Sequence, residues 1–450
     1  MRLALSVLLI VAALAVASPA SQTTGGAVLF EGARLIGAGA APIEHGTLLV
    51  ERGRIVKVGA RAGEVKAPAG ATHVDLSGKT VMPALVDTHV HLGYQVGSTF
   101  SADNYARDTL VDQLNRYAYA GVAAVLSLGT DSGDLQLQIR RDQEAGRIGG
   151  ARLLTAGQGI AAPDAGPGTP ELKGAALGVV TESDARRAVG EQVAKRVDFI
   201  KIWVDDRNGS VQKLSPALYR AVIDEAHKQK TRVIAHVFYL DDAKDLARAG
   251  VDGFAHLVRD READEELVSL LKSRNIFVMP NLSISDNGAH AEAPAWLDDP
   301  LLRDTSPAEV IERVRQSFAR RTPEAVERAQ RIFAGMRRTL AKLNAAGITL
   351  VLGTDDGAVR DHFYAYTAHR ELRLMVEAGM SPAEVLTSAT RTSAAVLRLD
   401  DLGSLEPHKR ADFIVLDANP LDDIANTTKI SAVYHEGVAL DRAALRARWR

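Results

Sequence analysis

From Val86 to Asp356 the chain alternates short apolar runs with segments of helical period, a rhythm that few folds accommodate. The runs are VDTHVH (from Val86), GVAAVLSLG (Gly121), ARLLTAG (Ala151), VDFIKIW (Val197), RVIAHVF (Arg232), VDGFAHL (Val251), NIFVMPN (Asn275) and ITLVLGTDD (Ile348). Apolar runs of this kind, separated by helical stretches, read as βα units around a parallel sheet. Eight units predict an α/β fold, a (β/α)8 TIM barrel over 82–399, whose active site lies at the C-terminal ends of the strands. At 450 residues, 46% of them hydrophobic, the chain is long enough for a barrel and a satellite domain.

The satellite is expected from the two ends. Residues 27–81 show period-two alternation broken by Gly and Pro every eight to twelve positions, and 400–445 resemble them. Neither end has enough strands to bury both faces, so together they are expected to form one composite β-sandwich. Two connections exceed what a barrel needs. Gly157 to Gly178 is rich in Gly, Pro and Ala and reads as a loop at the barrel mouth. The stretch 283–346 reads as a helical insertion, with helix starts at Ser306-Pro307 and Thr322-Pro323-Glu324. That insertion is either a lid or a thicker outer helical layer.

The N-terminus differs from the rest. Arg2 precedes an apolar stretch from Leu3 to Ala17 interrupted only by Ser6, and small residues follow. This is the layout of a secretory signal peptide over 1–20, too short to span a bilayer, and it predicts a periplasmic or secreted protein. A net charge of −2 gives no sign of a nucleic-acid or anionic-membrane partner and leaves a small-molecule substrate as the expected one. Whether the chain forms a homo-oligomer is left open. With no cysteine, any metal must be held by nitrogen and oxygen ligands.

Chemistry-bearing residues stand at the strand ends. His89 and His91, two apart in VDTHVHLG, share one side of an extended strand and can chelate one ion. Lys201 interrupts the apolar VDFIKIW, His236 ends RVIAHV, His256 ends VDGFAH, and Asp355 follows ITLVLGT. Each has a blander reading: a hydrogen-bonded core histidine, a snorkelling lysine or a helix-capping aspartate. Their joint placement on strands one, four, five, six and eight argues for a shared site. A buried lysine has a depressed pKa, and its neutral amine can add carbon dioxide to give a carbamate that bridges two cations. His89, His91, carboxylated Lys201 and Asp355 would hold one divalent ion, and Lys201, His236 and His256 a second, with zinc the expected metal. Such a pair acidifies a water while one ion polarises a carbonyl, and Asp355 can carry the proton to a leaving amine.

These residues, with GVAAVLSLGT, DFIKIW, IAHV, GVDGFAHL, LGTDDG and the tail from ELRLMVEAGM to DANPLDDI, resemble the metal-dependent amidohydrolase superfamily over nearly the whole chain past the signal segment. The branch it looks most like contains imidazolonepropionase-like hydrolases, Xaa-Arg prolidases and ochratoxin-degrading amidases. The resemblance implies a bimetallic hydrolase with a carboxylated lysine. Three departures stand out: Pro83-Ala84 in place of Pro-Gly, no Gly-Gly-His after strand three, and HVFY on strand five. The last two fall where relatives contact substrate. For that pocket Tyr239, three residues after His236, and Arg259, in AHLVRD, are the candidates: a hydrogen bond to a carbonyl, and a fork for a substrate carboxylate. Tyr239 could instead pack at the rim, and Arg259 could pair with Asp260. The remaining histidines read as surface residues without a role.

The expected activity is exported hydrolysis of amide or peptide-like C–N bonds, in N-acyl amino acids, dipeptides or similar substrates. A lactonase or esterase would use the same residues. Mononuclear cyclic-imidate hydrolysis or deamination fits less well, since single-metal relatives lack the bridging lysine. A non-catalytic binding protein on this fold would be expected to have lost ligands, and here all six are present.

Overall fold

The computed structural model describes residues 26–449 apart from positions 40, 62 and 173, so the expected signal segment lies outside the described residues. The central architecture is a TIM-barrel-like α/β fold. Leu85–Val90 pairs in parallel with Val122–Ser127, which pairs with Arg152–Thr155. Ile200–Val204, Val233–Val237, Gly253–Ala255 and Phe277–Met279 follow as a second parallel series. Asp198 N donates to Thr155 O (2.7 Å) between the third and fourth strands.

The eighth run is less regular than its sequence predicts. Val278 N donates to Thr349 O (2.9 Å) on one side and Thr88 N to Leu352 O (2.9 Å) on the other. Only isolated bridges, Leu350 to Val278 and Asp356 to Val90, mark it as strand-like. Side chains share its amides: Leu352 N donates to Ser393 Oγ (3.1 Å), and Thr354 N divides between Asp87 Oδ1 (3.2 Å) and His89 O (3.2 Å).

The flanking helices obey the period the sequence shows. Pro216–Lys228 starts on Pro216 after Ser215 and buries Tyr219, Val222, Ile223 and Ala226, which lie on one stripe. Leu240–Ala249 buries Leu240, Ala243, Leu246 and Ala247 and stops at Gly250, whose φ of 93° only glycine adopts freely. Each fully buried Leu or Ile along these stripes contributes about 1.5–3 kcal/mol.

Both ends of the chain enter one eight-stranded sheet. Its strands are Val28–Leu35, Ile43–Glu51, Arg54–Gly59, Thr72–Asp75, Thr80–Pro83, Phe413–Leu416, Ile430–His435 and Val438–Ala439. Phe413–Leu416 pairs antiparallel with Thr80–Pro83, which ties the C-terminal strands to the N-terminal ones. Val28–Leu35 pairs Thr72–Asp75 along its first half and Thr80–Pro83 along its second, so the sheet forks at this strand. Phe30, Phe413 and Tyr434 stack at its centre, with ring centroids 4.7–5.1 Å apart.

The 283–346 stretch is helical as predicted. Ala308–Ser317 begins after Pro307, and Pro323–Ala345 begins after Thr322, whose side chain accepts from Ala325 N. Arg313 pairs with Asp361 and so ties this stretch to the loop that follows Asp355. The 157–178 connection folds at the mouth, where Gly166 O accepts from the Arg207 guanidinium and Thr169 Oγ1 donates to Ala358 O (2.6 Å). Among the described residues no helix is long and apolar enough to cross a membrane.

Candidate metal centre

Asp87 builds the junction from which the site grows. Its carboxylate accepts from Thr354 Oγ1 (2.8 Å), Thr354 N and His89 N (3.1 Å), which joins the first strand to the eighth run. His89 and His91 then face the same side, as their spacing predicts, and Asp355 N donates to His89 O (2.8 Å). As a result His89 Nε2, His91 Nε2 and Asp355 Oδ1 converge: 3.2 Å between the nitrogens, 3.0 and 2.9 Å from each to the oxygen. His256 Nε2 lies 3.9 Å from Asp355 Oδ2. Donor atoms of His89, His256 and Asp355 all fall within 4.8 Å of one another.

The tautomers decide what this cluster can hold. His89 Nδ1 lies 3.3 Å from Asn281 Oδ1, an atom that only accepts, so Nδ1 carries the hydrogen and Nε2 a lone pair. His91 Nδ1 lies 2.9 Å from Thr130 Oγ1, which holds the ring with Nε2 toward Asp355. Burial keeps the rings neutral: it lowers His89 to about 3 and His236 to about 4, and holds His256 well below its usual value. Two imidazole nitrogens and a carboxylate oxygen at such separations outline a position that a cation can fill. His256 Nδ1 is in addition buried with no hydrogen-bond partner among the described residues. The donor set fits a divalent metal of the zinc type, with imidazole and carboxylate ligands.

Lys201 and His236 complete the floor. Lys201 lies on Ile200–Val204 one strand from His236, and only 1% of it is exposed. Burial pushes its amine down to about 7, opposed by the charge of Asp355. Two glycines make its channel. A Cβ on Gly129 (φ 95°) would fall 2.6 Å from Lys201 Cγ, and one on Gly159 would fall 2.1 Å from the Trp203 ring. The His236 and His256 rings stand edge to face at 4.7 Å. His256, Asn281 and Asp355 all have positive φ, at 80°, 48° and 62°. Such conformations cost about 1–3 kcal/mol each and cluster where a site constrains the backbone.

The two substrate candidates fare differently. Tyr239 lines the same cavity as Arg259, and its hydroxyl donates to Asp206 Oδ1 (2.7 Å) and accepts from Asn208 N (3.1 Å). It braces the loop after strand four. Arg259 does not pair with Asp260, which accepts from Leu240 N and Arg261 instead. Its guanidinium lies 4.8 Å over the Phe238 ring, and its buried Nε has no partner. With Trp203, Asp205, His236 and Phe238 it lines a cavity of about 280 Å³ beside the centre.

Several contributors were not legible in the sequence. Asn281 and Thr130 orient the first two histidines, and Asp205 contacts His236 (3.2 Å). All three follow apolar strand runs by a few residues, which is the only signal that could have marked them. The reading of the remaining histidines as surface residues is corrected at two positions. His369 is fully buried, its Nε2 bonded to Ala120 O (2.9 Å), because it lies on the inward stripe of helix Tyr366–Glu377. His362 Nδ1 lies 3.1 Å from Asp355 O, at the edge of the site.

Comparison with known proteins agrees with this geometry. The sequence model of the Amidohydrolase family matches residues 80–440. An uncharacterised protein of Mycobacterium tuberculosis is 25% identical over 298 residues, 65% of this chain and 68% of the relative. Ochratoxinase of Aspergillus niger is 25% identical over 266 residues, 56% of this chain and 47% of the relative. The crystal structure of a candidate prolidase from Bifidobacterium longum superposes with a TM-score of 0.73 at 28% identity, over 94% of this chain and 99% of that one.

Proposed function

Because this chain belongs to the amidohydrolase family, as a hydrolase of carbon–nitrogen bonds, we propose that it is a metal-dependent enzyme that cleaves amide or peptide-like bonds in small substrates ending in a carboxylate. N-acyl amino acids and dipeptides are of this kind. The observation that carries the reading is the convergence of His89 Nε2, His91 Nε2 and Asp355 Oδ1 within 3.2 Å. His89, His91, Asp355 and Lys201 would hold one ion, and Lys201, His236 and His256 the other, zinc being the expected metal. For Lys201 to bridge, its neutral amine adds carbon dioxide: an N–C bond forms, one proton leaves to solvent, and the carbamate presents two oxygens. An amine lowered to about 7 supplies that neutral form at physiological pH.

When bound, the ions acidify a water and polarise the scissile carbonyl. Asp355 accepts the proton of the attacking water at its carboxylate and delivers it to the leaving nitrogen, which departs as an amine. Burial of the cluster excludes bulk water and keeps His89, His236 and His256 neutral donors. Arg259 pairs its planar fork with the substrate carboxylate, and Phe238 supports the guanidinium from below.

A panel of dipeptides, N-acyl amino acids, lactones and esters tests the bond type. Amides are expected to turn over faster, and a consistent preference for lactones would contradict the reading. The Arg259→Met variant is expected to raise KM for free-acid substrates about 10–100-fold, since hydrogen bonds to charged groups contribute about 1.5–3 kcal/mol. Their carboxamide analogues should show little change. Equal effects on acid and carboxamide would remove Arg259 from the carboxylate subsite. We also propose export, on the strength of the apolar Leu3–Ala17 stretch and the small residues after it. The intact mass of the exported protein reads whether that segment is removed.

A further inference from the structure

The loop after strand four contains an unusual turn. Arg207, Asn208 and Gly209 have consecutive positive φ values of 51°, 58° and 79°. The turn is pinned from three directions: Asn208 N donates to Tyr239 Oη (3.1 Å), Tyr239 Oη donates to Asp206 Oδ1 (2.7 Å), and the Arg207 guanidinium donates to Gly166 O. The consequence falls on Asp205. Its Oδ1 accepts from Arg207 N (2.8 Å), which fixes the plane of the carboxylate, and its Oδ2 lies 3.2 Å from His236 Nε2.

We infer that Asp205 is a positioning residue that locks His236 in the Nε2–H tautomer and so leaves Nδ1 as the nitrogen available to a metal. A carboxylate only accepts, and Asp205 stands outside the histidine–Asp355 cluster where a cation would sit, so the ring atom facing it carries the hydrogen. A histidine ligand whose second nitrogen is held by a carboxylate is oriented and made a better donor. No residue in the sequence reading had this role. The inference depends on the metal-dependent function for its consequence, but not for the tautomer itself.

The pinned carboxylate makes the two obvious substitutions behave in an unexpected order. In Asp205→Asn the carbonyl oxygen stays under Arg207 N–H, which places Nδ2 where Oδ2 was. That amide donates to His236 Nε2 and drives the hydrogen to Nδ1, so the isosteric variant forces the wrong tautomer. Asp205→Ala merely releases the ring to sample both tautomers. A purely structural role predicts the opposite order, with Asn tolerated and Ala damaging.

The test is histidine side-chain ¹⁵N NMR of the metal-free protein at neutral pH, with the His236 signal assigned through His236→Gln. The wild type is expected to show Nε2 protonated, and Asp205→Asn to show Nδ1 protonated. Competition against a chromophoric zinc chelator should show the second zinc equivalent bound about 10–100-fold more weakly in Asp205→Ala, and at least as weakly in Asp205→Asn. Nδ1 protonation in the wild type, or wild-type affinity for the second zinc in Asp205→Asn, overturns the assignment. A wild type that takes up no second zinc while His236 is Nε2-protonated leaves the assignment standing and removes the two-metal reading instead.

Discussion

The Lys201→Ala protein is expected to retain at most one divalent ion per chain and to lose about 10²–10³-fold in kcat, the scale set by removing a preorganised charge-stabilising group. The physical ground is that no other group at the floor of the site offers two oxygens between the His89–His91 and His236–His256 pairs. Asp355 is already engaged with the first pair, at 3.0 and 2.9 Å. Truncation also opens a channel walled by Gly129 and Gly159, so circular dichroism should accompany the metal count. The same channel supplies a control. Acetate or propionate can enter it and present two oxygens, so partial recovery of metal and activity with the acid, and none with the amide, separates bridging from packing. Undiminished turnover in Lys201→Ala would mean the bridge is wrongly assigned.

Asp355→Asn should lower kcat by about 10²–10⁴, the range associated with loss of a general acid–base group, with a smaller change in KM. Asparagine is the informative substitution here. Residue 355 has φ of 62°, a conformation Asn tolerates and Ala does not, so the backbone link to His89 O survives. The amide retains one ligand oxygen and cannot take up a proton at neutral pH. Activity within tenfold of wild type would show that the proton moves through another group, and His362, whose Nδ1 lies 3.1 Å from Asp355 O, would be the first to examine.

What the sequence made legible was periodic or local. The βα rhythm marked the strands, period two placed His89 and His91 on one side, and a lone lysine in VDFIKIW stood out because an amine there must be buried. What it hid depends on partners brought from distant strands. Asn281 is 192 residues from the histidine it orients, and Asp205 is 31 residues from His236. Tyr239 is a similar case: its position beside the mouth was readable, but the Asp206 acceptor that holds its hydroxyl was not. The eighth run reads as a regular strand until Ser393 and Asp87 claim its amides. His369 shows the limit of composition as a guide. Charged residues follow it in sequence, yet the helix turns it inward to the Ala120 carbonyl.

Arg259 and Asp205 line one cavity beside His236, which places carboxylate recognition and metal orientation within the same few residues. In the proposed enzyme a substrate anion seated on Arg259 therefore lies next to the carboxylate that sets the His236 tautomer, and the two subsites are best varied separately. The Arg259 series reads KM against acid and carboxamide substrates; the Asp205 series reads metal affinity and ring protonation.

The most direct measurement is elemental analysis of the purified protein with activity followed as ions are withdrawn and returned. The account predicts two divalent ions per chain at full activity, loss of turnover as a chelator removes them, and recovery on adding zinc or a similar ion. Full activity with a single ion per chain, or turnover undiminished in the metal-free protein, would contradict it.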